Sequence, residues 1–90
     1  MTRKLNGHEY AQAHVITDSG ITKLISYHTK VISIDSKGWL TCYGLYSRTT
    51  IKHIGWFMRE LGLSYYDAKQ CYLNRMQMNI KTGEVRKRWQ

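Results

Sequence analysis

The sequence predicts an α+β domain in which a three-stranded antiparallel meander is followed by two helices packed on one face of the sheet. Two observations support this fold class. β-forming residues recur between residues 10 and 46, and apolar residues recur at helical spacing after Ser47. Neither a sheet nor a helix buries its apolar side alone, so the two are expected to pack together. The 90 residues of the chain give room for one domain.

The three predicted strands are separated by polar turn sequences. The first strand is predicted within the run YAQAHVIT at residues 10–17, and it ends at the turn sequence TDSG. Residues 22–34 form one long β-prone stretch, and a bulge is compatible with its polar centre at residues 28–30. The DSKG turn at residues 35–38 then leads into the returning strand WLTCYGLY at residues 39–46.

Two helices are predicted near residues 49–61 and 64–77. The apolar face of the first helix consists of Ile51, Ile54, Phe57, Met58 and Leu61. Gly62 supplies a stop after the first helix. Ser64, with Asp67 three residues later, predicts a capping box at the start of the second helix.

Both ends of the chain are polar and basic. Residues 1–9 are expected to be a flexible N-terminus, residues 10–80 a single α+β domain, and residues 81–90 a basic C-terminal segment. The KTGE sequence after Ile80 is a turn signal, and Val85 follows it. A short C-terminal hairpin and a tail are both compatible with this pattern.

The composition is strongly basic, with 14 lysine and arginine residues against 6 acidic residues and a formal net charge of +8. Apolar residues make up 42% of the chain, which is enough to build a core. The longest apolar runs fall far short of the ~18 residues that a membrane-spanning helix needs. The basic start is followed by polar residues where a signal peptide would be apolar. We therefore expect a cytoplasmic protein that makes no membrane contact.

The sequence contains no catalytic or cofactor-binding motif. A nucleophile and a base can be imagined in Ser26 with His28, or in Ser47 with His53, but neither spacing is specific. The histidines and the two cysteines are too scattered to bind zinc, and we expect the cysteines to be reduced thiols. We expect a non-enzymatic protein with no cofactor, no metal and no small-molecule substrate.

Basic residues beside aromatic residues are typical of surfaces that hold a phosphate backbone and stack a base. The basic C-terminal segment has this composition. Trp56 lies among cations on the outward side of the first predicted helix. It is either a contact hot spot or a side chain covered by the C-terminal segment or by a dimer partner. The candidate contacts with nucleic acid or another partner are Arg48, Lys52, Trp56, Arg59, Lys69, Arg75, Lys81, Arg86, Lys87, Arg88 and Trp89.

The start of the first predicted helix is a candidate anion site. Ser47, Thr49 and Thr50 offer hydroxyls beside free backbone N–H groups and the positive end of the helix dipole. The alternative is an ordinary helix cap.

The predicted helical pair also resembles a helix-turn-helix segment, with FMRELGLSYYDAKQC as the matching sequence and Gly62 at its turn. In that case the residues facing a DNA groove are Tyr66, Lys69, Gln70 and Arg75. The alternative is a plain helical hairpin packed on a sheet.

A further pattern lies within residues 24–63. It consists of a strand SY-x-T-x-V, a second strand ending in Y-S-x-TT, and a helix that opens with x-HI. The matching residues are Ser26, Tyr27, Thr29, Val31, Tyr46, Ser47, Thr49, Thr50, His53 and Ile54. This pattern resembles that of small uncharacterised proteins from bacteriophages and plasmids of Gram-positive bacteria. The resemblance implies a mobile-element context in the bacterial cytoplasm, and it implies no biochemical activity.

Two classes of function fit these observations. The net charge favours binding of nucleic acid or a host nucleoprotein through a basic surface. The alternative is an anti-defence inhibitor, similar to anti-CRISPR proteins, that binds and blocks a host nuclease or another host protein. Inhibitors that mimic DNA are acidic, so mimicry of DNA is not expected of this basic chain.

Overall fold

The computed structural model describes residues 1–88, which form a seven-stranded antiparallel sheet and two helices. Each strand lies beside its neighbours in chain order, and both helices are inserted between the fifth and sixth strands. The strands are β1 (Thr2–Lys4), β2 (Ala13–Asp18), β3 (Ile21–Ser26), β4 (Thr29–Ile34), β5 (Trp39–Cys42), β6 (Met76–Asn79) and β7 (Val85–Lys87). The helices are α1 (Arg48–Glu60) and α2 (Tyr65–Leu73).

The prediction of a three-stranded meander is wrong, because the sheet has seven strands. One cause lies at Tyr27, where the stretch predicted as a single strand turns back on itself. Tyr27 has a φ of 58°, a left-handed conformation that residues with a side chain rarely adopt. The turn contains no glycine, proline or asparagine that would announce it in the sequence. Residues 22–34 therefore belong to two strands, β3 and β4.

The N-terminus is a second cause, because it joins the sheet. Residues 1–9, expected to be flexible, include β1, which pairs antiparallel with β2. Leu5 is fully buried, and the amino group of Met1 donates a hydrogen bond to the carbonyl of Thr17 at 2.9 Å. A three-residue strand without apolar alternation gives no strand signal, so its position depends on tertiary pairing.

The last two strands lie where the sequence predicted a helix end and a basic segment. α2 ends at Leu73, and Arg75 then adopts a φ of 52° before β6 begins. β6 and β7 pair as a hairpin around the KTGE turn. The Oδ1 of Asn79 accepts hydrogen bonds in this turn from the backbone N–H groups of Lys81 and Thr82. The basic segment thus supplies β7, an edge strand of the sheet.

The sheet has one face covered by the helices and an opposite face without them. Side chains alternate along a strand, and the pairing register places Val15, Leu24, Ile32 and Cys42 side by side across four strands. All four are buried, and they share the core with Phe57 of α1. We call this side of the sheet the helix face and the opposite side the outer face.

Both helices that the sequence predicts are present, and polar caps define where they begin. The Oγ of Ser47 accepts a hydrogen bond from the backbone N–H of Thr50 at 3.2 Å at the start of α1. The carboxylate of Asp67 accepts one from the backbone N–H of Ser64 at 3.0 Å at the start of α2. No helix in the described residues has the length and apolar character needed to span a membrane.

Candidate functional site

The outer face of the sheet carries a group of two aromatic side chains and three cations. Trp39 and Tyr43 are four residues apart along β5 and its extension, so they point to the same side of the sheet. Lys30 comes from β4, Arg86 from β7, and Arg88 from the residue after β7. We call these five residues the aromatic–cation patch.

Arg86 lies over the ring of Trp39. Its guanidinium carbon is 3.9 Å from the ring centroid, which is a close cation–π contact. The Nε of Arg86 donates a hydrogen bond to the Oε1 of Gln77 at 2.8 Å, and the Nε2 of Gln77 donates one to the Oγ1 of Thr41 at 2.7 Å. These hydrogen bonds connect β5, β6 and β7 and hold the guanidinium in position over the indole.

Tyr43 is the second aromatic centre of the patch. The Nζ of Lys30 is 4.6 Å from its ring centroid, and the guanidinium carbon of Arg88 is 5.2 Å from it. The Tyr43 hydroxyl is hydrogen-bonded to the Oγ of Ser33 at 2.9 Å. Arg88 also donates a hydrogen bond to the carbonyl of Cys42 at 3.3 Å. Two positive charges from different strands therefore converge on one ring.

Among the residues that the structure describes, no acidic side chain pairs with the cations of the patch. Within residues 1–88, the one ion pair joins Arg3 to Glu60 at 2.7 Å. Asp35, in the turn between β4 and β5, accepts hydrogen bonds from the backbone N–H groups of Lys37 and Trp39. The described part of the chain therefore leaves the positive charge of the patch uncompensated.

This arrangement suits a ligand that is both anionic and flat. Phosphate groups are attracted by the cations, while aromatic rings and an arginine plane provide surfaces on which bases stack. A small apolar ligand has less to gain here, because the patch lies on an open sheet face and not in a deep pocket.

The contact residues predicted from the sequence lie on both sides of the molecule. Arg86 and Arg88 belong to the aromatic–cation patch. The helix side carries Arg48, Lys52 and Arg59 on α1, and Lys69 on α2. The structure therefore does not bring the predicted cations together into one surface.

The other predicted contacts lie near the ends of elements. Arg75 lies between α2 and β6, and Lys81 lies in the turn between β6 and β7. Lys87 follows Arg86 along β7, so it points to the opposite side of the sheet. Trp89 lies outside the described residues.

Trp56 is covered by the N-terminal segment, an alternative that the sequence did not suggest. Its ring stacks on that of His8, with 3.7 Å between centroids and an interplanar angle of 8°. On the same helix, Glu60 accepts hydrogen bonds from the side chain of Arg3 and the backbone N–H of Asn6, both at 2.7 Å. Burial alone raises the pKa of Glu60, but these hydrogen bonds and the charge of Arg3 outweigh it and lower that pKa.

A hydrogen-bond network, buried except at the exposed Ser47, links β3 to the start of α1. The Oγ of Ser26 is 2.8 Å from the Nδ1 of His53 and 3.1 Å from the Oγ1 of Thr50. Ser47 donates to the same oxygen of Thr50 at 3.2 Å. Two of the three hydroxyls expected to form an anion site are thus bonded within the protein, and Thr49 is the third. We call Ser26, Ser47, Thr50 and His53 the corner network.

The structure forms a serine–histidine pair different from the two suggested by the sequence. Ser26 pairs with His53 and not with His28, which is exposed in the turn between β3 and β4. Ser26 and His53 are each only 2% exposed, and burial lowers the pKa of His53. Such a closed pair offers a substrate little surface, so we interpret it as a link that fixes α1 on the sheet.

Three patch residues, Lys30, Trp39 and Tyr43, were not among the contacts predicted from the sequence. The alternation in WLTCY was the available signal, since Trp39, Thr41 and Tyr43 share one side of a strand and the apolar Leu40 faces the other. The link to Arg86 has no such signal. It depends on β6 pairing with β5 after two intervening helices, which only the tertiary fold specifies.

On the helix side, α2 and the β6–β7 hairpin enclose a cleft of about 120 Å³. Cys71, Met76 and Val85 are among the residues that line it. Tyr66 and Leu73 are 63% and 56% exposed on α2. This apolar region is separate from the aromatic–cation patch.

Comparison with known proteins shows which family the chain matches. The model of a family described as a family of unknown function (DUF8033) matches residues 3–82. No curated protein and no solved structure matches the chain. The match leaves out β7 and the first residue of β1, and it includes Lys30, Trp39 and Tyr43.

Proposed function

Because this chain belongs to the DUF8033 family, whose function is unknown, we propose its role from its geometry: it binds nucleic acid through the aromatic–cation patch. One observation carries the proposal. The guanidinium of Arg86 is held over the ring of Trp39 by Gln77, on a sheet face where no acidic side chain of residues 1–88 pairs with the patch cations. The protein acts by binding and not by catalysis.

The charge of the whole molecule supports the same proposal. A formal charge of +8 over 90 residues attracts polyanions and steers their approach. Cations also lie on the helix side, so net charge alone does not select a surface. The patch differs from the helix side because its cations surround two aromatic rings. We place this activity in the bacterial cytoplasm and in a phage or plasmid context, which the sequence resemblance supports.

A comparison of two triple variants with equal charge tests the proposal. The first changes Lys30, Arg86 and Arg88 to alanine, and the second changes Arg48, Lys52 and Arg59 to alanine. Binding to fluorescein-labelled oligonucleotides is measured by anisotropy at several salt concentrations. We expect the patch variant to lose affinity for every sequence and to lose up to ~2 units of the log–log salt slope on single strands, at ~0.7 per phosphate contact.

The helix-side variant is the matched control, because it loses the same charge from the opposite side of the sheet. It should retain most of the affinity and most of the salt slope. Circular dichroism and the Tm of each variant show whether it is folded, since Arg88 also bonds the backbone at Cys42. Equal losses in both variants, or no binding by the parent protein at low salt, would contradict the proposal.

A specific observation also favours a second candidate, the anti-defence inhibitor that binds a host protein. Tyr66 and Leu73 expose apolar surface on α2, the helix whose Cys71 lines the helix-side cleft, and exposed apolar groups are typical of protein interfaces. A pull-down from bacterial lysate, with and without nuclease treatment, separates the two candidates. Partners that persist after nuclease and are lost in Tyr66→Ala and Leu73→Ala support the inhibitor.

A further inference from the structure

We infer that the ligand of the patch is single-stranded nucleic acid, with one base stacked on the Arg86–Trp39 pair and another on Tyr43. The inference rests on the proposed function and names its substrate class. It depends on three features of the patch: the rings themselves, the distance between them, and the way in which the guanidinium of Arg86 is held.

The rings favour a single strand because of which surfaces each nucleic acid exposes. A duplex presents phosphates and base edges, and the flat faces of its bases are already stacked on one another. A single strand exposes those faces, and aromatic side chains on an open sheet bind them without regard to sequence. Aromatic rings among the cations therefore add affinity for single strands and little for duplexes.

The spacing of the two rings indicates the conformation of the bound nucleic-acid strand. Trp39 and Tyr43 are four residues apart on an extended chain, which corresponds to about 13 Å at a rise of ~3.3 Å per residue. Stacked bases on one strand are only ~3.4 Å apart. The two stacking positions therefore cannot hold consecutive bases of a stacked helix, and they fit bases splayed from an extended single strand.

The hydrogen bonds to Arg86 indicate that its planar guanidinium contributes to ligand binding through its shape as well as its charge. Gln77 bonds both Arg86 and Thr41, so the guanidinium is fixed at 3.9 Å from the indole centroid before any ligand binds. An arginine plane held on an aromatic ring offers a second flat surface to a base, whereas the ammonium group of lysine offers only charge. A fixed platform also spares the ligand the cost of ordering that side chain.

The test uses Arg86→Lys and Trp39→Ala in the full chain, with a 12-nucleotide oligothymidylate and a blunt 12-base-pair duplex as probes. We expect the parent protein to bind the single strand more tightly than the duplex at equal salt. Trp39→Ala should weaken single-strand binding by about 5- to 150-fold, the range for loss of one stacked base. Arg86→Lys should weaken it too, with an unchanged salt slope because the charge is kept.

Matched controls separate stacking from folding and from charge. Tyr10→Ala removes an exposed aromatic ring from the N-terminal segment, and Arg59→Lys makes the same cation exchange on α1; neither should change single-strand affinity. Trp39→Phe, which keeps a ring, should recover most of the binding if Trp39→Ala is poorly folded. Equal affinity for the two probes, together with Arg86→Lys behaving as Arg59→Lys does, would overturn the inference and leave the proposed function standing. Failure of the parent protein to bind either probe would overturn both.

Discussion

At the scale of single residues, the corner network shows what the motif residues near the start of α1 do. Ser26, Ser47, Thr50 and His53 all belong to the SY-x-T-x-V, Y-S-x-TT and x-HI pattern within residues 24–63. In the structure they are hydrogen-bonded to one another, with Ser26, Thr50 and His53 buried and Ser47 exposed. A hydroxyl can serve as donor and acceptor at once, so the buried Ser26 can bond both Thr50 and His53. These four residues therefore form the junction between β3 and α1.

His53 makes the stability of the domain depend on pH. Burial lowers its pKa below the ordinary value of 6.5, so the unfolded chain takes up a proton at a pH where the folded chain does not. The free energy of unfolding should be at its full value above about pH 7.5 and fall as the pH drops through 6.5, by up to ~1.4 kcal/mol per pH unit. Urea denaturation between pH 7.5 and 5.5 measures this slope.

The control for this prediction is the exposed His28. His28→Gln should keep the pH dependence, whereas His53→Gln should flatten it, whatever its effect on stability at neutral pH. If both variants retain the parent's slope, another group is responsible for it.

The two cysteines are expected to be inert in the folded protein. Burial raises the pKa of Cys42 to about 11 and raises that of Cys71 as well, so the reactive thiolate is scarce and shielded. Ellman's reagent at pH 8 should react with the native thiols at least about a hundredfold more slowly than in guanidinium chloride, because reaction requires opening of the fold. Prompt release of two equivalents by the native protein would show that the thiols are accessible.

At the scale of secondary-structure elements, the sequence predicts the helices better than the strands. α1 has a full apolar stripe, a serine cap and a terminal glycine, so three independent local signals agree on it. The strands missed are short, and their signals are not local. β1 has three residues, and the turn that separates β3 from β4 places Tyr27 in a conformation that glycine or asparagine normally signals. These short strands form because neighbouring strands pair with them, and not because of their local sequence.

The second residue after each helix has the same backbone conformation but a different residue type. Substitutions at these two positions should therefore change the free energy of unfolding in opposite directions. Gly62 and Arg75 both follow their helix with a positive φ, 77° and 52°. A left-handed conformation costs a residue with a side chain ~1–2 kcal/mol relative to glycine. Gly62→Ala should lower the free energy of unfolding by about 1 kcal/mol, although the added Cβ meets no atom within 4 Å. Arg75→Gly should raise it by a similar amount.

Urea denaturation at pH 7.5 measures the free energy of unfolding of Gly62→Ala and Arg75→Gly. A stabilising Gly62→Ala, or a destabilising Arg75→Gly, would show that contacts and not backbone conformation decide these positions. Arg75→Ala serves as the control, because it removes the side chain and keeps the unfavourable conformation. It should therefore change stability less than Arg75→Gly.

At the scale of the whole molecule, the candidate site is formed by residues that are distant along the chain. Lys30 and Arg88 flank the same ring although 58 positions separate them. Composition predicted a basic surface, and local clustering pointed to Arg86 and Arg88. Trp39 and Tyr43 joined them only through the pairing of β6 with both β5 and β7. The sequence therefore predicts the charge of the site but not its aromatic centre.

The folded unit extends to the first residues of the chain, and this gives the last prediction. Leu5 is completely buried, and its neighbours hold the segment on α1 through the Arg3–Glu60 ion pair and the stacking of His8 on Trp56. Leu5→Ala should reduce the free energy of unfolding by ~2–5 kcal/mol, as expected for truncation of a buried leucine. That is a large part of the ~5–15 kcal/mol available to a whole domain.

Tyr10→Ala is the matched control for Leu5→Ala, since Tyr10 is 99% exposed five residues further along the same segment. It should change stability by no more than ~0.5 kcal/mol. Chemical denaturation followed by tryptophan fluorescence measures both variants, and Trp56 reports directly on the docking of His8. If the N-terminus were flexible, as composition alone suggests, both variants would change the free energy of unfolding equally little. A docked N-terminus requires Leu5→Ala to be much the more damaging, because only that change opens a cavity between the sheet and α1.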